Sequence, residues 1–253
     1  MVGLLYERIG HGYARTRRAD PRIMRAVHAA LGDAASVLNV GAGAGAYEPA
    51  DREVTAVEPS ARMRAQRPAN AAPCLDAPAE QLPFADDSVD VAMALYTDFH
   101  WRDRARGIAE LVRVSRRGIV LLTVDRDAAE RYWLTRDYLP AANDLFAPLA
   151  AVTGLLPGPP PRITPVPIPG DCRDGFVHAF WKRPRALLSP RVHSTMAVFA
   201  RLPTDTVSAA QARLRADLES GAWVRRNHAL ADRRELDLGH RLVVWRPETP
   251  GGK

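Results

Sequence analysis

Val37-Leu38-Asn39-Val40-Gly41-Ala42-Gly43-Ala44-Gly45 is the stretch on which the fold turns. Ser36 to Val40 is an apolar run of strand length that breaks into glycines at alternate positions. Without a Cβ, Gly41 and Gly43 let the backbone turn tightly and approach a ligand closely. A second apolar run, Val54 to Val57, closes on Glu58, seventeen residues after Gly41. An acid at the carboxyl end of the second strand can accept hydrogen bonds from both ribose hydroxyls of an adenosine. Only eight residues separate Gly45 from Val54, and Pro49 is one of them. A full helix does not fit there, so the helix dipole that usually faces such a turn is reduced or missing. Position 46 is Ala where a dinucleotide fingerprint wants Gly, and no Gly-Lys-Ser/Thr follows as a Walker loop requires.

Working outward, a weaker strand is expected near 72–75, a fourth at Val89–Leu95 and a fifth at Gly118–Val124. Ile108, Leu111, Val112 and Val114 recur at near-helical spacing between the last two. Short apolar runs alternating with helices predict a Rossmann-like α/β fold, a doubly wound and mostly parallel sheet covered on both faces. Upstream, Asp20-Pro21 starts a helix well, with Asp20 as N-cap and Pro21 at the first helical position. Downstream, residues 127–152 read as helical. Seven prolines between Gly154 and Gly170 allow a loop and at most an edge strand, placed near Ile163–Ile168. Residues 171–183, 189–201 and 208–223 read as helices, with Ser189 and Ser208 as N-caps, and Leu242–Trp245 as a last strand. The expected organisation is an N-terminal helical cap (1–34), a binding core (35–170), a helical lid (171–232) and a returning strand (233–253).

Composition bounds the function. Of the 253 residues, 47% are hydrophobic and 25% charged, as in an ordinary globular protein. No apolar stretch approaches the roughly 20 residues of a membrane helix, and the N-terminus lacks a signal-peptide core, so a cytoplasmic protein without membrane attachment is expected. Two distant cysteines, Cys74 and Cys172, imply neither a disulfide framework nor a zinc site, and no metal is expected. The net charge of +6 invites nucleic acid, but the basic residues are interleaved with acids and all but two of 35 are arginines. A solvated basic surface and no nucleic-acid partner are therefore expected, with a monomer or homodimer as the working state.

Five ordered motifs then carry a family resemblance: the Gly-x-Gly-x-Gly turn; Val57-Glu58-Pro59-Ser60; Ala79-Glu80-Gln81-Leu82-Pro83-Phe84; Val89-Asp90-Val91-Ala92; and His100-Trp101. Together they resemble the class I S-adenosylmethionine-dependent methyltransferases, most of all the small-molecule branch. The resemblance is firm over residues 35–125. It implies S-adenosylmethionine as cofactor. Gly41, Ala42 and Gly43 would pass under the methionine and ribose, and Glu58 would hold the ribose hydroxyls. Pro59 and Met63 would flank the adenine, Ala79 and Glu80 would meet its edge, and Ala94 and Leu95 would touch the methionine amino end. The chain departs from the pattern at Asn39 and Pro78, where aspartates are usual. With the helix dipole weakened, Arg17 and Tyr13 are the expected partners of the methionine carboxylate, since arginine grips a carboxylate through two N–H groups.

Methyl transfer from a sulfonium is an in-line displacement that demands alignment and exclusion of water. A hydroxyl nucleophile also needs a base. Candidates are Asp98 and His100 after the fourth strand, and Asp171 and Asp174 in Asp171-Cys172-Arg173-Asp174-Gly175-Phe176, which resembles an active-site element of the same branch. His178 and the aromatics Tyr96, Phe99, Tyr132, Trp133, Phe176 and Trp181 would wall a flat substrate. The expected activity is methylation of an O, N or C nucleophile of a small molecule, a secondary metabolite. The competing readings are an RNA methyltransferase and a non-catalytic cofactor-binding module.

Overall fold

A computed structural model describes residues 2–248, with side chains from Leu5 onward. Seven strands form one sheet: β1 Ser36–Val40, β2 Glu53–Val57, β3 Cys74–Leu75, β4 Val91–Leu95, β5 Ile119–Val124, β6 Arg162–Pro165 and β7 His240–Trp245. Their spatial order is β3-β2-β1-β4-β5-β7-β6. The first five strands run parallel, and β7 inserts antiparallel between β5 and the edge strand β6. The order in which the chain adds strands reverses between the parallel neighbours β1 and β4. In open α/β sheets the crevice outside the carboxyl ends at that reversal is where ligands bind.

Central strands buried on both faces read as unbroken apolar runs, and β5 (Ile-Val-Leu-Leu-Thr-Val) is buried at every position. Alternate residues feed two cores. Val37, Val91, Met93, Val120 and Leu122 face one side, with the helix Pro21–Leu31 and the segment 166–223. Leu38, Val40, Ala92, Ile119 and Leu121 face the other, with the helix Arg104–Val114.

The described helices used below are α1 Val2–Ile9, α2 Tyr13–Thr16, α3 Pro21–Leu31, α4 Ala61–Arg64, α5 Arg104–Val114 and α6 Thr204–Glu219. The α3 start is as expected: the Asp20 carboxylate accepts the Arg22 N–H at 3.0 Å and Pro21 is the first helical residue. Ile23, Val27, Ala30 and Leu31 recur on its buried stripe. Residues 41–52 form turns with no helix, as the short gap requires.

The later helical expectations need correction. Residues 127–152 break into short turns at Arg126–Ala129, Trp133–Asp137, Pro140–Leu145 and Leu149–Thr153. Pro140 and Pro148 cannot continue a helix through their own positions. Residues 171–176 are irregular, and only Val177–Phe180 makes a single tight turn. Residues 189–201 form two four-residue turns rather than one helix. Ser189 sits at the first N-cap position without a side-chain bond, and Ser208 lies inside α6, which starts four residues earlier. No described helix is long and apolar enough to cross a membrane.

Candidate active site

A cleft of about 920 Å³ opens at the carboxyl end of the sheet, over β1, β2 and β4. Its floor is the glycine turn. Gly41 has φ +68° and Gly43 φ +53°, the left-handed region that glycine enters without cost. A Cβ at Gly41 would lie 2.1 Å from Thr97 Oγ1, so the cradle admits no side chain there. The N–H groups of Gly41 and Ala42 both donate to the Val57 carbonyl, at 2.9 and 3.0 Å, which folds the turn back on the end of β2.

Glu58 follows directly, on the cleft wall. Its two carboxylate oxygens accept the backbone N–H groups of Gly43 and Ser60, each at 2.9 Å. Burial raises its proton affinity, and those two N–H donors oppose the rise. Each oxygen keeps a second lone pair, so the carboxylate can still accept two hydroxyls. Pro59, Met63, Ala79 and Glu80 line the cleft beyond it. The Glu80 carboxylate is also tied to the backbone, accepting from Arg102 and Asp103. Leu95 lines the cleft, whereas Ala94 is buried in the core behind it. Asn39, in the place of the expected aspartate, donates to Glu48 at 3.0 Å, and Glu48 pairs with the buried Arg67.

The N-terminal segment closes the cleft. Tyr6, Tyr13 and Arg17 all line it. Arg17 is largely committed: Nε donates to Asp174 Oδ1 at 2.6 Å and one terminal nitrogen donates to Tyr13 Oη at 2.7 Å. Asp174 also accepts the Tyr47 hydroxyl at 2.7 Å and the Gly175 N–H. This cluster straps the N-terminal segment, the turn after β1 and the 171–176 loop together. Asp174 is thus occupied as a strut, not presented as a base.

His100 lies at the mouth between Tyr6 and Arg201. An Arg201 N–H reaches its Nδ1 at 3.1 Å, and a guanidinium can only donate. Nδ1 is therefore the bare nitrogen, and the proton sits on Nε2, 2.9 Å from Tyr6 Oη. Burial, with Arg201 and Arg17 nearby, pushes the ring's pKa down to about 3. In this arrangement His100 positions Tyr6 and has no free lone pair for an acceptor's proton.

Two base candidates fall outside the cleft. Asp98 is buried and paired with Arg104 at 3.2 Å. Asp171 is exposed, its side chain 82% accessible, and pairs with Arg22. Of the aromatic candidates, Tyr132, Trp133 and Trp181 are packed in the core, with polar ends donating to the carbonyls of Val177, Trp181 and Ile168. They build the scaffold rather than a substrate wall.

The remaining aromatics meet elsewhere. Tyr96, Phe99, Phe176 and His178 bound a second, small chamber of about 60 Å³ beside the cleft. Tyr6, Arg17, Tyr96 and His100 line both spaces and form the boundary between them. Tyr96 takes φ +57°, rare for a bulky residue, and such strain clusters at functional positions. Its hydroxyl is 2.8 Å from Nδ1 of His240. His240 is absent from the sequence-derived site, as are Tyr6, Tyr47 and Thr97. The only signal for His240 is a histidine that, with Arg241, leads the apolar run Leu242–Trp245.

The comparisons agree with this geometry. A methyltransferase domain model matches residues 38–123, from β1 to β5. A protein of Anabaena variabilis, described as a methyltransferase from an antibiotic biosynthesis pathway, shares 31% identity and superposes with a TM-score of 0.84, covering 91% of this chain and 99% of its own. A Thermotoga maritima protein, described as an S-adenosylmethionine-dependent methyltransferase and possible histamine N-methyltransferase, shares 25% identity over 60% of this chain and 77% of its own, with a TM-score of 0.50. A search of curated proteins returned no match. The glycine cradle that excludes a Cβ and the buried acid after β2 fit an adenosyl cofactor, and the relative of full-length coverage has the same fold. This chain belongs to the class I S-adenosylmethionine-dependent methyltransferases.

Proposed function

We propose that this methyltransferase acts on an O, N or C nucleophile of a small organic acceptor, a secondary metabolite. One observation carries the reading: a small aromatic chamber shares four boundary residues with the cofactor cleft. Likeness to the Anabaena variabilis antibiotic-pathway protein supports the metabolic setting.

The cofactor supplies an electrophilic methyl group on a sulfonium. Around it, Glu58 would hold the ribose, Gly41 to Gly43 would pass beneath it, and Pro59, Met63 and Ala79 would enclose the adenine. Arg17 retains N–H groups beyond those given to Asp174 and Tyr13, and these would meet the methionine carboxylate. Tyr6 and Tyr13 cover the cleft from above and exclude water. The chain's contribution is thus orientation and desolvation, which lower the barrier to a displacement between two bound groups. The boundary holds no carboxylate among the described residues, so an acceptor enters with its own nucleophile ready or with a weakly held proton.

The test uses calorimetry with S-adenosylmethionine and S-adenosylhomocysteine, then transfer of labelled methyl to a metabolite extract and, separately, to total RNA. Binding of both compounds and label in a small product is expected. Label in RNA, or binding without transfer to any acceptor, would replace this reading with one of the alternatives.

A further inference from the structure

The turns at 41–52 stand where a helix is usual, and two consecutive residues there each hold a group of the cleft wall. Tyr47 donates to Asp174, which in turn grips Arg17. Glu48 accepts an Asn39 Nδ2–H at 3.0 Å. Glu48 is itself fixed from behind. Arg67 Nη2 lies 2.9 and 2.8 Å from its two oxygens and 2.9 Å from the Ala72 carbonyl oxygen. The two side chains are only 5% and 9% exposed. Gly45, the third glycine of the turn, makes room for this pair: a Cβ there would lie 3.2 Å from both Arg67 and Glu48.

The arrangement decides which end of the Asn39 amide faces the cleft. A carboxylate accepts and cannot donate, so the amide nitrogen must face Glu48 and the oxygen must face away from it. Asn39 stands near the end of β1 and lines the cleft. Its Oδ1 takes no hydrogen bond among the described residues, yet it keeps open surface rather than being sealed in the core. A bare carbonyl oxygen therefore stands at the foot of the cleft, two residues before the Gly41 turn.

We propose that Glu48 is a positioning residue that turns the Asn39 oxygen into the cleft to receive the α-ammonium of the cofactor's methionine, so that this chain separates the complete amino-acid tail from a truncated one. The inference goes beyond the acceptor reading above and rests only on the cofactor. The chemistry of the cofactor selects the contact. An amide oxygen needs an N–H or O–H donor, and the cofactor carries these on the ribose hydroxyls, the adenine amino group and the α-ammonium; the sulfonium carries none. Glu58 answers the hydroxyls at the end of β2, and Ala79 and Glu80 lie further along the cleft, where the adenine would sit. The ammonium is the donor that remains. Arg17, held by the Tyr47–Asp174 contact, is the partner of the adjoining carboxylate. Residues 47 and 48 thus serve the two ends of one tail, each through a single intermediary. A charged acceptor on its nitrogen side polarises the Asn39 amide and strengthens its oxygen as an acceptor. The aspartate usual at position 39 is in effect moved one side chain back, where Arg67 neutralises it, and the cleft keeps an acceptor that does not repel the methionine carboxylate.

The experiment is calorimetry with three probes: S-adenosylhomocysteine, its analogue lacking only the α-amino group, and 5′-methylthioadenosine, which lacks the whole amino-acid tail. Wild type is expected to prefer S-adenosylhomocysteine to the deamino analogue by about ten- to a hundredfold, the worth of a hydrogen bond to a charged group. Glu48→Gln gives Asn39 a neighbour that can donate, so either end of its amide can face the cleft. The preference should then fall towards unity, while the deamino analogue and 5′-methylthioadenosine bind as to wild type. Asn39→Asp combined with Glu48→Gln again leaves an oxygen facing the cleft and should restore the preference. Equal wild-type affinity for S-adenosylhomocysteine and its deamino analogue would overturn the proposal whatever the variants do. So would a preference that survives Glu48→Gln, or a Glu48→Gln protein that loses all three probes equally, since Glu48 would then only brace the turn. Absence of binding by all three probes in wild type would overturn it together with the cofactor assignment, whereas failure to find an acceptor would leave these affinities unchanged.

Discussion

Asp174→Asn separates a strut from a base. The Asp174 side chain is fully buried and the Arg17 side chain is 14% exposed, with 2.6 Å between Nε and Oδ1. The substitution keeps the shape and removes the negative charge, leaving a guanidinium in a low-dielectric site with only neutral acceptors beside it, the new amide oxygen and the Tyr13 hydroxyl. Breaking one side of a buried pair costs about 3–5 kcal/mol. For a domain of this size each kcal/mol moves the melting temperature by roughly 2–4 °C, so a fall of roughly 6–20 °C is expected if the strap is tied to global unfolding. The Asp174 cluster joins the N-terminal segment to Tyr47 and Gly175, so local release of residues 5–18 is the alternative outlet. Release caps the global cost and appears as faster hydrogen exchange and proteolysis in that segment, with weaker S-adenosylhomocysteine binding. Arg17→Met combined with Asp174→Leu should be milder than the sum of the single changes, because neither charge is then stranded. The assay is thermal denaturation with hydrogen exchange and calorimetry. An Asp174→Asn protein with wild-type melting, wild-type protection of residues 5–18 and abolished turnover would refute the strut and restore the base.

Gly41→Ala should weaken S-adenosylhomocysteine binding at least tenfold, since left-handed φ costs an alanine about 1–2 kcal/mol and its Cβ would overlap Thr97; Thr97→Gly should restore part of the loss in calorimetry. Glu58→Gln should cost cofactor affinity by about tenfold, the difference between a charged and a neutral acceptor for two hydroxyls, while Glu58→Ala costs more. Asp90 accepts the N–H groups of Ala35 and Ser36 and pairs with Arg116, holding its carboxyl down to about 2 from its ordinary 3.8. A depressed carboxyl stabilises the fold above its unfolded pKa, so that contribution fades as pH falls from 3.8 towards 2, and Asp90→Asn should flatten denaturation curves across that window. The three buried histidines 100, 178 and 240 are likewise held below 6.5, so the unfolded chain takes up protons first and stability should decline as pH falls below 6.5; constant stability from pH 7 to 4 would contradict their burial.

What was legible in the sequence was whatever local covalent chemistry decides. The alternation of glycines after β1 and the acid after β2 each fix a backbone feature within a few residues, and the missing helix between Gly45 and Val54 follows from chain length alone. The aspartate candidates are read differently in the structure because of partners that the local pattern does not mark: Arg17 lies 157 residues from Asp174 and Arg22 lies 149 from Asp171, while Arg104, though near Asp98 in the chain, faces it only once the core encloses both. Asp174 reads as an N-cap or a base until Arg17 is brought to it, and Asp98 reads as a cleft acid until Arg104 and the core enclose it. Periodicity failed in 127–152 and 171–201 for a related reason. There the chain spends its apolar residues on the exposed face of a finished sheet, so side chains need only reach the core, and prolines decide where each turn stops. His240 shows the same limit from the other direction. It opens β7, whose register against β5 places it opposite Val124 at the end of the sheet where the chamber lies. Its partners, His178 and Tyr96, come from a loop turn and from the residue after β4. Only a strand inserted antiparallel between β5 and β6 brings those three rings into one line. That insertion is the most non-local event in the sheet, and the same event that completes the fold brings His240 against Tyr96 and His178.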